Sequence, residues 1–129
     1  MGRARHLLLL LALPLLMAAE DVSAPLSDKA KGELAGRIAG EPLNCVPLRA
    51  LRSTRIVDAS AIIYKVSKRL WYVNQPDRGH CALLRPDRVI VTRTPSSQLC
   101  INDLIMVAER NAPVTYGACG LGSFVPYTR

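Results

Sequence analysis

The chain has 129 residues, half of them hydrophobic, a formal net charge of +7 and four cysteines. This length suits one small domain, and a domain of that size gains from covalent cross-links because its core is modest. The sequence contains no phosphate-binding glycine loop, no dinucleotide fingerprint and no G-x-S-x-G motif. These absences argue against the common nucleotide-dependent enzymes and serine hydrolases.

The first residues predict a secretory signal peptide at residues 1–19. A short basic segment with Arg3 and Arg5 precedes an apolar run at residues 7–19, after which the chain turns acidic. The run is shorter than the roughly 20 apolar residues that a transmembrane helix needs, and no second candidate follows. We therefore expect cleavage after Ala18 or Ala19, export to the periplasm or the extracellular space, and no transmembrane segment in the mature protein.

Residues 20–44 are predicted to form a leader ahead of a β domain at residues 45–129. Ser27 is a candidate helix cap, and apolar residues then recur at the spacing of one helical face as far as Gly40. The pattern fits either one short helix or a flexible leader. The apolar residues of this face are Ala30, Leu34 and Ile38.

From residue 54 onward the apolar pattern has a period of two, which is typical of β-strands. β-branched and aromatic runs at residues 61–66 and 70–74 are separated by a short polar stretch and predict a hairpin. Because no long helix lies among the runs, we predict a mainly β fold: a small disulfide-bonded antiparallel barrel or sandwich with a short N-terminal helix or leader. Further strands are predicted at residues 88–93 and 104–108, and edge strands at residues 54–57 and 123–127.

The even number of cysteines outside the predicted signal peptide indicates disulfide bonds, because an exported chain meets an oxidising compartment. Their spacing lacks the short C-x-x-C pairs that are usual in structural zinc sites, so we expect no metal. On the residues alone, three pairings are open. The cysteines are Cys45, Cys81, Cys100 and Cys119.

His80 stands directly beside Cys81 and is the only histidine of the predicted mature chain. A catalytic cysteine needs a stabilised thiolate, but neighbours in an extended segment point to opposite faces. A free thiol would also leave an odd number of cysteines for disulfides. We therefore interpret Cys81 as disulfide-bonded and His80 as a surface-loop residue, flanked by Arg78 and Arg85.

Paired carboxylates are the other general device of hydrolases, and retaining glycosidases hold two about 5 Å apart. The aspartates of the β domain stand in or beside predicted turns, where this residue commonly bonds backbone groups. We therefore predict no catalytic residue and no cofactor, with a small periplasmic hydrolase or a hydrolase inhibitor as the alternative. The acids are Asp58, Asp77, Asp87, Asp103 and Glu109.

Six short motifs, taken as an ordered set, resemble those of a family of small exported proteobacterial proteins of unknown function. The resemblance covers residues 40–129 and implies an envelope protein with no assigned activity. Because the motifs that contain Cys45 and Cys100 look like one unit of that family, the resemblance favours the pairing Cys45–Cys100 and Cys81–Cys119. The motifs are NCVPL at 44–48, RIVD at 55–58, AIIY at 61–64, YVN at 72–74, SQLC at 97–100 with Asp103, and GLGSF at 120–124.

The predicted β domain is strongly cationic, because residues 45–129 carry a net charge of plus seven against minus two in residues 20–44. Such a surface attracts anionic partners by long-range steering. Trp71 and Tyr72 are consecutive in a predicted strand, so we expect one ring in the core and the other exposed as a contact residue. Cations recur three apart at Arg49, Arg52 and Arg55, which would share a side in a helical or turn segment, and cluster at the hairpin tip as Lys65, Lys68 and Arg69.

These features predict an exported, non-enzymatic envelope binding or interaction module with a basic surface. Its expected partner is an anionic envelope component or an acidic protein, and nucleic acid is not expected outside the cytoplasm. A solvated basic face without a partner is the simpler reading, and nothing in the sequence predicts the oligomeric state. The candidate binding residues are Arg49, Arg52, Arg55, Lys68, Arg69, Trp71, Arg78 and Arg85.

Overall fold

The structure, a computed structural model, describes residues 23–129 together with residues 2 and 14. The predicted signal peptide at residues 1–19 therefore lies outside the described residues, apart from those two positions. Helices long and apolar enough to span a bilayer do not occur among the residues described. The elements are α1 (Asp28–Glu33), β1 (Ile38–Ala39), β2 (Cys45–Pro47), a 3-10 helix (Leu48–Ala50), β3 (Ser53–Asp58), β4 (Ala61–Lys65), β5 (Leu70–Asn74), a second 3-10 helix (Pro76–Gly79), β6 (Val89–Thr92), β7 (Gln98–Cys100), β8 (Leu104–Ala108), β9 (Thr115–Gly120) and β10 (Phe124–Thr128).

The strands form three antiparallel sheets. The largest has the order β1-β10-β5-β4-β3, the second the order β6-β8-β9, and β2 pairs with β7 as a ribbon. In the described part of the chain the sheets pack as a sandwich and do not close into a barrel, so the predicted mainly β fold is confirmed in its sandwich form. One detail was wrong: β10 was predicted as an edge strand, but it lies between β1 and β5.

The five-stranded sheet buries apolar side chains on both of its faces. On one face, Tyr64 and Phe124 pack in a cluster with Ile105 of the second sheet. On the other face, Ile63 belongs to a second cluster with Leu34 at the end of α1. Because successive strand residues point to opposite faces, a sheet covered on both sides needs an unbroken apolar strand. This explains why β4 shows so little polar alternation.

The expectation that only one ring of Trp71 and Tyr72 faces the core needs correction. The two rings point to opposite faces, but each packs against a cluster and both residues are half-buried. The Tyr72 ring lies 6.5 Å from the Phe124 ring, edge to face. Neither ring is therefore a free exposed platform, because α1 covers the face that a one-sided sheet would leave open.

The short helix forms, but it ends earlier than the predicted face. The Oγ atom of Ser27 accepts a hydrogen bond from the Ala30 N–H at 3.1 Å and donates one to the carboxylate of Asp58. Past the end of α1, Gly36 takes a left-handed conformation with φ of 78°. Ile38 consequently lies in β1 and is exposed, whereas Ala30 is buried as a helical face requires.

Two disulfides join Cys45 to Cys100 and Cys81 to Cys119, so the favoured pairing is confirmed. Cys45 and Cys100 are direct partners in the β2–β7 ladder and are half-buried. Cys81 and Cys119 are buried in the cluster that also contains Tyr64, Phe124 and Ile105, which we call the inner cluster. There they tie the loop after the second 3-10 helix to β9. Structural disulfides of this kind fit a protein that folds outside the cytoplasm.

Candidate functional site

A cavity of about 520 Å³ opens at the tip of the β4–β5 hairpin, and its lining is dominated by cations. We call it the basic pocket. Its walls come from four separate parts of the chain: the segment after α1, the segment before β3, the hairpin and the end of β10. The lining residues are Arg37, Arg52, Lys65, Val66, Ser67, Lys68, Trp71 and Arg129.

The hairpin positions the centre of the basic pocket. Lys65 at the end of β4 stands opposite Trp71 in β5. The turn between them is held by Ser67, whose hydroxyl accepts hydrogen bonds from the N–H groups of Arg69 and Leu70, each at 3.2 Å. Because Ser67 bonds the turn to itself, Lys68 is presented on a defined loop at the pocket wall.

Strand pairing brings the outer cations to the same place. The Arg52 N–H donates to the Lys65 carbonyl at 2.8 Å, which continues the β3–β4 ladder by one step. The Arg129 N–H donates to the Arg69 carbonyl at 3.1 Å, which continues the β10–β5 ladder. Residues that lie more than 50 positions apart in the sequence are thereby fixed around one hairpin tip.

Arg37 closes the pocket from the helix side. Its guanidinium lies 3.5 Å from the centroid of the Trp71 ring, and its Nη2 donates to the Lys68 carbonyl at 2.8 Å. The Lys65 ammonium lies 4.4 Å from the same ring centroid. Two cations therefore share one indole, an arrangement worth about 0.5–2 kcal/mol for each contact.

Arg37 is also short of hydrogen-bond partners. Its Nε and Nη1 atoms are covered from solvent and have no hydrogen-bond acceptor among the described residues. Partial burial, and secondly the charge of Arg129, lower the pKa of the Arg37 guanidinium from its ordinary value. An arginine still keeps its proton at physiological pH, so the pocket holds a cation whose surroundings supply no negative charge.

The five cations of the basic pocket lack acidic partners in the part of the chain that the structure describes. Among the described residues, the ion pairs are Arg55 with Glu33 at 2.9 Å and Arg85 with Asp87 at 3.8 Å, and both lie outside the basic pocket. Mutually repelling charges held in one cavity create a positive potential that concentrates anions. The described lining residues include no carboxylate, amide or imidazole side chain, so what they offer is mainly hydrogen-bond donors.

The structure brings together three of the predicted binding residues, Arg52, Lys68 and Trp71, in the basic pocket. Arg69 adjoins it through its backbone carbonyl. The remaining four lie elsewhere: Arg49 in the 3-10 helix Leu48–Ala50, Arg55 in β3 against Glu33, Arg78 in the 3-10 helix Pro76–Gly79, and Arg85 beside Asp87.

The residues 49, 52 and 55 do not lie along one helical side, because the 3-10 helix covers only residues 48–50 and β3 begins at Ser53. Arg37 and Arg129 were not among the predicted binding residues. In the sequence, only their charge marked them as candidates. The contacts of Arg37 with Trp71 and of Arg129 with Arg69 join segments that are remote in sequence.

The His80–Cys81 loop is structural in this fold. The Cys81 sulfur is bonded to Cys119, so it offers neither a thiolate nor a free metal ligand. The Oδ1 atom of Asp77 accepts the Gly120 N–H at 2.9 Å, and both Asp77 and Arg78 have positive φ angles. His80 is exposed. The loop is thus held to β9 by the Cys81–Cys119 disulfide and by the hydrogen bond from Gly120 to Asp77.

A polar cleft of about 290 Å³ adjoins this loop, and Asp77, Arg78 and Asn102 are among its lining residues. These three are also the non-glycine residues with positive φ in the described part of the chain. Asp77 is the only carboxylate among the described lining residues and already accepts a backbone hydrogen bond. The described residues of the cleft therefore do not supply the two carboxylates of a glycosidase-type mechanism.

The other acids of the β domain each have a local partner. Asp58 accepts hydrogen bonds from Ser27 and from the backbone N–H and hydroxyl of Ser60, at 2.9 and 2.5 Å for the latter two. Burial on its own raises the pKa of Asp58, but these bonds and the charge of Lys29 outweigh it and lower that pKa below its ordinary value. Asp103 accepts the Cys100 N–H at 2.8 Å.

Comparison with protein-family models, with curated proteins and with solved structures finds no match for this chain. The resemblance to a family of exported proteins therefore stays a prediction.

Proposed function

We propose that this protein is an exported, non-enzymatic binding module of the cell envelope, and that the basic pocket receives an anionic group of an envelope component. One observation carries the proposal: the pocket gathers five cations around Trp71, and its described lining residues include no acidic side chain. A merely solvated basic surface has no need to converge its cations, since like charges repel and stabilise a fold best when they are dispersed. An acidic protein is the second partner class that the same charge would suit.

Two further features support the compartment. Two disulfides stabilise the described fold, and disulfides persist in oxidising compartments. The basic and apolar pattern of the first 19 residues is that of a signal peptide. A protein purified from the periplasm or the medium of its expressing cells should therefore begin near residue 19 or 20, as measured by intact mass. Recovery of the chain only from the cytoplasm, with residues 1–18 retained, would contradict the export proposal.

Binding on this scaffold would be electrostatic capture by a preorganised site. The backbones that carry the cations are held by strand ladders, and the Arg37 guanidinium is held by the Lys68 carbonyl and the Trp71 ring, so the cations converge before an anion enters. The side chains of Arg52, Lys68 and Arg129 are exposed, and ordering them on binding costs conformational entropy. Long-range attraction would raise the association rate and would weaken as salt shortens the Debye length from about 10 Å at 0.1 M to about 3 Å at 1 M. The affinity should therefore fall steeply with salt.

Tryptophan fluorescence reads the site directly, because Trp71 is the only tryptophan of the chain. We would titrate the exported protein with polygalacturonate, dextran sulfate and inorganic pyrophosphate, which present carboxylate, sulfate and phosphate groups. At least one of them is expected to change the emission of Trp71 at low salt and to lose most of its affinity at 0.5 M salt.

The matched variants decide whether the basic pocket is responsible. Arg52→Glu with Lys68→Glu reverses two exposed pocket cations, and Lys31→Glu with Arg110→Glu reverses one lysine and one arginine elsewhere on the surface. The first pair should weaken binding by about tenfold or more, and the second by much less. Equal losses in both pairs, or no response to any of the three probes, would overturn the proposed function.

A further inference from the structure

We infer that the ligand group of the basic pocket is a pair of phosphates carried on a sugar-sized body, as in a phosphorylated glycolipid headgroup or a free sugar bisphosphate. The inference rests on the proposed function and names its ligand class. It follows from the positive charge that the ligand must neutralise, from the donor groups that line the pocket, and from the lack of an unoccupied acceptor side chain among the described lining residues.

The charge of the pocket sets the valence of the ligand. Among the described residues of the lining, five side chains are cationic at neutral pH and none is anionic. A single carboxylate would leave four of these charges uncompensated, whereas one phosphate monoester carries about −1.5 to −2 at pH 7. Two phosphates, at about −3 to −4, come closest to neutralising the site.

The arrangement of donors suits tetrahedral groups. Arg52 and Arg129 lie beside opposite edges of the hairpin and carry guanidinium groups, and the Nη2 of Arg129 also donates to the Ala35 carbonyl at 3.4 Å. The hairpin itself carries the ammonium groups of Lys65 and Lys68. Guanidinium forks bind phosphate oxygens in pairs, and lysine binds phosphate as a point charge. A phosphate offers three terminal oxygens in different directions, so it can accept from donors that surround it, whereas a planar carboxylate offers only two.

The lining also argues against recognition of a neutral or weakly acidic glycan through its hydroxyl groups. Sugar hydroxyls are donors as well as acceptors, and they are usually held by side chains that can accept. Ser67 is the only neutral side chain of the lining with an acceptor oxygen, and that oxygen already accepts two backbone N–H groups. Recognition in this pocket must therefore fall on the acceptor oxygens of the ligand, which phosphates supply.

The remaining space defines the body of the ligand. The cavity of about 520 Å³ exceeds what two phosphate groups occupy and lies within the range of small-molecule sites. Val66 and the hydrocarbon stems of the lysines form the apolar part of the wall. The Trp71 face is already stacked by Arg37 and Lys65, so the ligand body packs beside the indole and not on it.

The test compares ligands of graded valence by Trp71 fluorescence on the exported, disulfide-intact protein. We expect glucose 1,6-bisphosphate to bind at least about tenfold more tightly than glucose 1-phosphate and than glucuronate at the same ionic strength. The Arg52→Glu and Lys68→Glu pair should abolish this preference, whereas the Lys31→Glu and Arg110→Glu pair should keep it.

A second arm identifies the source of the phosphates. Phosphatidylcholine vesicles that contain a bisphosphorylated glycolipid are compared with vesicles that contain phosphatidylglycerol at equal surface charge, in flotation assays with both variant pairs. Tighter binding to the glycolipid than to the soluble bisphosphate assigns a lipid headgroup, and equal binding assigns the free sugar. Both results support a bisphosphate ligand.

The failures of the two proposals are distinguishable. If glucuronate or polygalacturonate binds through the basic pocket as tightly as the bisphosphate, the site binds anions but the phosphate inference is wrong. If phosphatidylglycerol vesicles bind as tightly as the glycolipid vesicles, a single phosphodiester at the same surface charge is sufficient and the inference of paired phosphates is wrong. If none of these probes binds, both proposals fall together.

Discussion

The guanidinium carbon of Arg37 lies 3.5 Å from the centroid of the Trp71 ring, although one residue follows α1 and the other lies in β5. The same guanidinium donates a hydrogen bond to the Lys68 carbonyl in the hairpin turn. One side chain thus joins the helix side of the protein to the wall of the basic pocket. Arg37 is a positioning residue, because its Nε and Nη1 atoms are covered and cannot reach a ligand in this arrangement.

The Arg37–Trp71 contact should be measurable as a coupling energy. We expect a double-mutant cycle of Arg37→Met and Trp71→Leu, followed by urea unfolding with circular dichroism, to give about 0.5–2 kcal/mol. The parallel cycle of Lys65→Met with Trp71→Leu should give less, since the ammonium lies farther from the ring at 4.4 Å. A coupling near zero in the first cycle would mean that the stacking is only geometric.

The carboxylate of Asp58 should make the fold sensitive to acid. Its pKa is lowered in the folded state, so it stabilises the protein above the unfolded-state value of about 3.9, and this contribution is lost as the pH falls through the folded-state pKa. We expect Asp58→Asn to cost about 1–3 kcal/mol at pH 7 and progressively less as the pH falls below about 3.9, as measured by urea unfolding. Asp87→Asn, at an exposed ion pair, is the control and should change stability little.

The hydroxyl of Tyr64 is a destabilising polar group in the inner cluster. It is buried without a hydrogen-bond partner among the described residues, and burial raises the pKa of Tyr64. Tyr64→Phe should therefore keep the fold and raise its stability by about 1 kcal/mol.

The same group predicts an effect of alkali. Because the folded-state pKa of Tyr64 is raised, the neutral phenol favours the folded state most below the unfolded-state value of about 10, and this contribution is lost as the pH rises further. Tyr64→Phe should lose less stability than the parent between pH 9 and 11, as measured by thermal unfolding. A variant less stable than the parent at pH 7 would show that the hydroxyl has a partner.

The two disulfides should differ in what their removal does. They close loops with separations of 55 and 38 residues, which predicts roughly 4 kcal/mol of stabilisation from either one in the chain-entropy model. Because Cys81 and Cys119 are buried, replacing both with alanine also leaves a cavity in the inner cluster. We expect that pair to lose more stability in urea than Cys45→Ala with Cys100→Ala, and the opposite order would contradict this account.

Strands with strong patterns were predictable and others were not. β4, β5 and β8 consist mainly of β-branched and large apolar residues, so their sequences predicted strands. β9 was missed because it contains Gly117 and Gly120 and is largely exposed. At Gly117 a Cβ atom would lie 2.9 Å from the Leu83 side chain, so a glycine there reflects a contact between distant segments. Local pattern cannot report such a requirement.

By itself the sequence determined the period-two strands, the hairpin turn at residues 67–69, the presence of disulfides and the cationic balance, because each depends on neighbouring residues or on simple counts. Only the tertiary structure decided which cations meet. β10 pairs with β5 across about 50 residues, and the turn at Gly36 sends Arg37 back over Trp71. Net charge is a count over the sequence, but the basic pocket requires particular cations to lie close together. Strand register and the left-handed turn at Gly36 bring them together.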